Sequence, residues 1–485
     1  MKTSAHKSRV APRAGTAGAL VLVNISDRRS STPIKDTGSS WPPAGGQRPD
    51  DHHKYREGPN SSCERRAGMV HYSVVDMGAW MQNSTKTVQA AAKGLDTNLY
   101  ENLESTFTQE YPNFEILLSV ADEHDQAIAV AHELIARYPR VNARIIIGEE
   151  IVGANPKVNN LMKSYNSVAH DILWVIDSNV TAQPGTLARA VDALQSRTRS
   201  GKRIGLVHHV PFAYSTESKT GSRIEEAFLN TNHAKMYLAI NTVAVESCVV
   251  GKSNLYRRSD LERVNGSFQP IKSAEENGRQ EGLCGLPAFG KYMAEDNIIA
   301  SALWHELGLR HDLSCDVAHN VVGSMTFQDY VWRRVRWIRV RKHMVLLATL
   351  LEPFTESILV GIIGSLSANY LFGLPLWLFG LTHFSLMLYV DLDIYASLAG
   401  HPLPASIRWE FLAGWLMREV LTLPIFLLAI FGDEVVWRGK KYRILRNGEV
   451  AQSGQATEGG GLTGWVKRLR RPNDYVRLDA EVPPD

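Results

Sequence analysis

Cysteine is scarce. The 485-residue chain carries four, Cys63, Cys248, Cys284 and Cys315, and no two of them form a C-x-x-C pair. Such spacing gives no sign of a zinc module or a disulfide framework, and it suits a reducing, cytosol-facing environment. Excess charge is lacking too. Lys and Arg number 53 against 50 Asp and Glu, a net of +3. That is too little for a general polyanion binder, so no nucleic-acid partner is expected. The first 92 residues lack apolar periodicity. Their stretch "STPIKDTGSSWPPAGGQRPDDHHKYREGPNSS" is rich in Pro, Gly, Ser and charge, the composition of a segment that stays disordered. Within them "AGALVLVNI" is too short to span a bilayer and too weak for a secretory signal.

What is present begins near residue 95. "LYENLESTFTQEYP", "QAIAVAHELIARYP", "KVNNLMKSYNSVAH" and "GTLARAVDALQSR" read as helices, and "FEILLSVAD", "NARIIIG", "DILWVIDSN" and "RIGLVHHV" as strands between them. This alternation predicts an α/β sheet covered on both faces. Ligands of such sheets sit beyond the carboxyl ends of the strands, where Asp122 and Asp177 fall.

Long apolar runs are confined to the far end. Residues 371–390 and 411–431 each have about the length a bilayer core needs. The second run carries Arg418 and Glu419, which must face protein or water. Residues 344–366 contain Glu352, Pro353 and Glu356 and suit a partly inserted segment. Basic clusters at 332–343 and 437–448 flank this region. Both belong on the cytosolic side, which requires an even number of crossings and favours two. The expected division is an atypical segment 1–92, a catalytic domain 93–343, a membrane region 344–436 and a basic tail 437–485.

Four places can carry chemistry. In "WVIDSN" an apolar strand ends in Asp177, with Asn179 two residues on. Two oxygen side chains on one face of a turn suit a hard divalent cation on a nucleotide diphosphate, although Asp at a strand end is more often a turn or cap residue. Asp122 and Asp125 have the same plain reading. "KYMAEDNIIASALWHELG" puts Glu295 and Asp296 at the start of a helical pattern, where acids also complement the helix dipole. In "RRVRW", Arg333, Arg336 and Trp337 offer two forked cations and an aromatic face. They suit diphosphate oxygens or, alternatively, a juxtamembrane basic helix.

Taken in order, Asp122, Asp177, Asp296 and Arg333-x-x-Arg336-Trp337 resemble the D, D, D, (Q/R)xxRW signature of membrane-bound inverting glycosyltransferases. Within them the chain is similar to the fungal ceramide glucosyltransferases, through "KGLDTNLYENLESTF", "NPKVNNLM", "AEDNIIASALWHELGLRHDLSCDVAHNVVG", "DYVWRRVRWIRVRKHMVLLATLLEPFTES" and "WRGKKYRI". The resemblance implies a type A glycosyltransferase fold, Rossmann-like, with C-terminal transmembrane helices. It also implies UDP-glucose as donor, ceramide as acceptor, and inversion to a β-glucoside. Asp122 would contact the uridine, and Asp177, with Asn179, a divalent cation (Mg or Mn). Asp296 would be the general base, and Arg333, Arg336 and Trp337 would meet diphosphate and acceptor. His233 falls at a substrate-site histidine, against the plain reading of a satisfied histidine near the core. Residence in the Golgi membrane, multi-pass, with the catalytic domain facing the cytosol, follows from the same resemblance.

The chain departs from the pattern at one place. Family members carry a spanning helix and a β-strand before a "RPxKG"-like turn, whereas "NSTKTVQAAA" precedes Lys93 here. The first strand of the sheet is therefore expected to be missing, with residues 1–92 outside the native fold. Two other readings stay open, an inactive glycosyltransferase-like membrane protein and a transferase for another lipid or polysaccharide acceptor.

Overall fold

A computed structural model of the chain describes residues 20–25, 98–215, 218–270, 283–437, 440–445 and 448–452. Its centre is an eight-stranded mixed sheet. In chain order the first elements are β1 (Leu20–Ile25), α1 (Leu99–Phe107), β2 (Phe114–Val120), α2 (Ala127–Arg137), β3 (Asn142–Ile147), α3 (Pro156–Ser167), β4 (Ile172–Asp177), β5 (Val180–Thr181), α4 (Thr186–Gln195) and β6 (Ile204–Ser215). Next come α5 (Thr220–Phe228), a single π turn at Leu229–His233, α6 (Ala234–Val243), β7 (Ser253–Arg257), α7 (Glu295–His305), β8 (Arg310–Val322) and α8 (Phe327–Met344). The strand order is β3-β2-β1-β4-β7-β6-β8-β5. Strands β2 and β4 read as nearly unbroken apolar runs because both faces are covered. One core lies under α1, α2 and α4, the other under α3 and α7.

The sequence leaves the middle of this sheet empty, and the structure fills it. Leu20–Ile25, "LVLVNI", lies between β2 and β4 and runs antiparallel to both, with Leu20 opposite Ser119 and Asp177 and Ile25 opposite Phe114 and Ile172. All six residues are buried. Val21, Val23 and Ile25 enter one core, while Leu20 and Leu22 enter the other. Asn24 fixes the register, since its Nδ2 donates to the carbonyls of His170 (2.8 Å) and Ile172 (3.0 Å) while His170 N–H donates back to its Oδ1. The expectation of a missing strand fails for a physical reason. A central slot needs six residues of apolar backbone that can pair on both edges, and neither sequence proximity nor strand direction is part of that need. The other parts of 1–92 lie outside the described residues.

Beyond α8 the chain forms α9 (Leu346–Leu351), a 3₁₀ turn at Glu352–Thr355, α10 (Ser357–Phe372), α11 (Leu376–Ala399) and α12 (Arg408–Ile430). By length and composition α12 can cross a membrane. The pair Leu346–Thr355 and Ser357–Phe372, bent by 61°, passes the same test only when taken together. The run at 371–390 does not coincide with a helix. Gly373 ends α10 in a left-handed turn, and α11 then extends to Ala399, taking in Asp391 and Asp393. These helices leave many large apolar side chains exposed, among them Leu347, Ile362, Phe372, Trp377 and Leu386.

Arg418 and Glu419 face protein, as the sequence requires. Arg418, 1% exposed, pairs with Glu356 and Asp391, both at 3.3 Å, and with Glu419. Lys235 of α6 reaches Asp391 at 2.8 Å, Trp415 Nε1 donates to the same carboxylate, and Asn232 Nδ2 donates to Glu356 at 2.6 Å. The sheet and its covering helices are thereby bolted to the apolar helices by buried charge. Replacing Arg418 with Met takes the shared cation from three buried carboxylates and leaves Glu356 and Glu419 with neutral donors only, so a loss of about 3–5 kcal/mol is expected. Thermal unfolding of the detergent-solubilised protein checks it.

The chain ends, among described residues, in a small sheet of β9 (Glu434–Trp437), β10 (Lys440–Ile444) and β11 (Val450–Gln452). Part of the expected basic tail is thus folded back onto the body. Val450 N–H donates to Lys291 C=O at 3.0 Å, Glu449 pairs with Lys291 at 2.8 Å and bridges Tyr292.

Candidate active site

Three chain segments converge beside the carboxyl end of β4. The first is the start of α3. Asn155 caps it, its Oδ1 accepting from Lys157 and Val158 N–H, with Pro156 in the first helical position. The same side chain donates through Nδ2 to Tyr292 C=O (2.8 Å) and Glu295 Oε2 (2.7 Å), which joins α3 to the start of α7. Close backbone contact supports the junction: a Cβ on Gly153 would lie 2.2 Å from Gly290 O. The third segment is the turn into β7, where Gly251 leaves room for Asp296. A Cβ there would meet Asp296 Oδ2 at 2.7 Å.

Two lysines clasp Asp177. Lys252 Nζ donates to Asp177 Oδ2 (3.0 Å) and Asn179 Oδ1 (3.1 Å). Lys157 Nζ donates to Gly251 O (3.0 Å) and forms ion pairs with Asp177 Oδ1 (3.0 Å) and Glu295 Oε1 (3.2 Å). Beyond this ion pair, the buried Asp177 Oδ1 has no hydrogen-bond partner among the described residues. Burial works against charge on Asp177, but Lys157 and Lys252 outweigh it and hold the carboxyl below its ordinary value. Burial likewise opposes Lys157, and Asp177, Glu295 and Asp296 together raise it instead. Asp296 goes the other way. Burial and the neighbouring Glu295 push it up to about 7, with Lys157 opposing. A carboxyl poised near neutrality can take a proton from a hydroxyl.

The structure therefore brings Asp177, Asn179 and Asp296 together. Asp122 is not in that cluster. It is exposed in the turn after β2 and accepts His124 N–H at 2.9 Å. It lies three residues beyond Ser119, the β2 residue that stands level with Asp177 across Leu20 of β1.

Arg333, Trp337 and His233 form a second group. Arg333 Nε donates to Glu225 at 2.8 Å, and its guanidinium stands 5.1 Å from the Trp337 ring. His233, at the end of the π turn, stacks on Tyr237 (5.7 Å) and meets Trp337 edge-on (6.0 Å). Burial, aided by Arg334, Arg341 and Arg333, pushes His233 down to about 3, so its ring is neutral. Its Nδ1 is buried and has no partner among the described residues. Arg336 is half-buried on the same helix as Arg333. Tyr237 links the groups, since its hydroxyl pairs with His208 and accepts Val250 N–H at 3.2 Å, one residue from the glycine under Asp296.

Sequence reasoning missed Lys157, Lys252, Gly251 and Tyr237. It also read Glu295 as a helix-start charge, whereas Glu295 is buried and ties Asn155 to Lys157. Nothing in the sequence signals that Lys157 points at a strand end twenty residues on.

The residues fit a divalent cation. Among described residues no three His, Cys, Asp or Glu form a cage. Asp177 Oδ1 and Asn179 Oδ1 nevertheless supply hard oxygen donors, enough for an ion whose remaining ligands are diphosphate oxygens and water.

The mixed α/β sheet thus sets an acidic strand end, Asp177, beside a carboxylate at a helix start, Asp296. The sequence pattern of Glycosyl transferase family 21 matches residues 90–274 and 280–450, and the chain belongs to that family. It is 39% identical to a ceramide glucosyltransferase of Komagataella phaffii, with 74% of this chain and 82% of that protein covered. It is 32% identical to one of Candida albicans, with 74% and 86% covered, and 31% to one of Gibberella zeae, with 74% and 83% covered. Among solved structures, the mannosyltransferase PcManGT of Pyrobaculum calidifontis, in complex with GDP-Man and Mn2+, aligns at a TM-score of 0.35 and 16% identity, over 67% of this chain and 83% of that one. Strand β1 lies outside the family match.

Proposed function

We propose that this chain transfers glucose from UDP-glucose to the primary hydroxyl of ceramide, with inversion, at a membrane surface. The observation that carries this reading is the neutral-range carboxyl of Asp296, seated on Gly251 beside the Asp177–Lys157–Lys252 cluster. Asp296 takes the proton of the acceptor hydroxyl as its oxygen attacks the sugar from the side opposite the diphosphate. One carboxylate suffices for a single inverting displacement. Lys157 and Lys252 offset the charge that grows on the departing UDP. A divalent cation held by Asp177 and Asn179 would supply further positive charge to the same diphosphate. Arg333, Arg336 and Trp337 hold donor and acceptor from the membrane side, and neutral His233 offers its unpartnered Nδ1 to the acceptor. Asp122 meets the uridine at the edge of the sheet.

A two-chain lipid must be reached where it lies, and the exposed apolar surface of α9 to α12 supports a seat in the bilayer. Two crossings, with the catalytic body and both basic clusters on the cytosolic side of a Golgi membrane, complete the reading.

The test is product formation from UDP-glucose and ceramide, in membranes of cells lacking such an enzyme and expressing this chain. β-Linked glucosylceramide is the expected product. A folded, membrane-bound chain that makes none from ceramide but glycosylates another lipid would overturn the acceptor assignment.

A further inference from the structure

Lys252 stands between the two side chains that would hold a cation. Its ammonium bridges Asp177 Oδ2 and Asn179 Oδ1 at 3.0 and 3.1 Å. The bridge is built in. Asp177 N–H donates to Lys252 C=O at 3.1 Å, so backbone pairing fixes lysine and aspartate side by side, and the lysine side chain is 16% exposed. Lys157 differs, being committed to Gly251 O, Asp177 Oδ1 and Glu295 Oε1. An ammonium and a divalent ion cannot share Asn179 Oδ1 at contact distance, because two like charges would then stand within about 4 Å of each other in a partly desolvated cleft.

The charge count points the same way. Without nucleotide, the cleft holds two ammonium groups, Lys157 and Lys252, against the three carboxyls of Asp177, Glu295 and Asp296. Two more positive charges leave an excess, whereas a diphosphate arriving with the ion offsets them. We propose that Lys252 is a displaceable counter-ion: it keeps the Asp177–Asn179 pair closed to divalent cations in the nucleotide-free protein, yields when the ion arrives on a diphosphate, and then takes a diphosphate oxygen itself. This rests on the nucleotide-sugar reading of the site. It makes nucleotide and ion enter together rather than one after the other.

Mn2+ binding to the full-length, detergent-solubilised protein, followed by electron paramagnetic resonance with and without UDP, tests this. Displacing a charge-assisted hydrogen bond or two corresponds to roughly 10- to 100-fold in affinity. Wild type is expected to bind Mn2+ by that factor more weakly without UDP than with it. Lys252→Met and Lys252→Gln should both tighten Mn2+ binding to the nucleotide-free protein at least about 10-fold, and weaken UDP binding at saturating Mn2+ by a similar factor. Gln keeps a donor for Asn179 without the charge, so it serves if the Met variant fails to fold. Equal nucleotide-free Mn2+ affinity in wild type and the folded variants would overturn the proposal. The donor reading fails separately, if wild type binds no UDP at any Mn2+ concentration, and the nucleotide-free comparison still decides the role of the lysine.

Discussion

Asp296→Asn is expected to abolish turnover, by about 10²–10⁴-fold or more, while UDP-glucose binding stays close to wild type. The amide fills the same space over Gly251 but cannot accept the proton. Since the wild-type carboxyl titrates near 7, kcat/KM should rise about tenfold per pH unit below 7 and level off above it. Stability should show the opposite trend. Folding raises this carboxyl from 3.8 to about 7 and so favours the protonated acid. The stability gained that way is complete below about pH 4 and is lost as the pH climbs through 7. Asp296→Asn should therefore melt higher than wild type at pH 8, with the gap closing towards pH 4. An Asn variant that keeps turning over would remove Asp296 from the role of base. A melting gap independent of pH would remove the raised carboxyl.

Val23→Asp should prevent the catalytic body from folding. Val23 is fully buried in the central strand, opposite Ile116 on one side and Trp174 on the other. A carboxylate there has no partner, and its burial exceeds the roughly 4–5 kcal/mol that marks the severe end of single substitutions. Asn24→Ala gives a graded companion. It removes the bonds to His170 and Ile172 and should cost about 2–4 kcal/mol, as buried partners lose their hydrogen bonds. Limited proteolysis and UDP binding report both. Wild-type behaviour of Val23→Asp would mean that Leu20–Ile25 is not in the sheet.

The contrast between this strand and its neighbours shows what a sequence makes legible. β2, β3 and β4 announce themselves because helical patterns separate them. Asp177 was readable because a buried run ends abruptly in an acid. β1 was dismissed, since "LVLVNI" was weighed as a leader or a span and its real need, an unpaired slot formed by residues more than ninety positions later, has no local signature. β7 and β8 were likewise unread, because "SNLYR" and "RHDLSCDVAHNVV" are short or polar and become strands through pairing with β6. The lysines at Asp177 are a tertiary outcome. The helix cap that aims Lys157 and the turn that presents Lys252 can each be argued locally, but their meeting at one carboxylate cannot. Glu295 shows the opposite error, a residue with a sufficient local explanation that also has a tertiary role.

The small C-terminal sheet bears on the order in which the molecule is made. Val450 and Glu449 grip Lys291 and Tyr292, five and four residues before Asp296. On a ribosome Asp296 emerges long before this brace, and helices α8 to α12 must be synthesised in between. The segment that aims the carboxylate is therefore completed only after the last apolar helix has left the tunnel. A nascent chain stalled before α12 would carry Asp177, Glu295 and Asp296 and still lack the contacts to Lys291 and Tyr292. The contacts on Lys291 and Tyr292 thus depend on a segment made after every apolar helix of the chain.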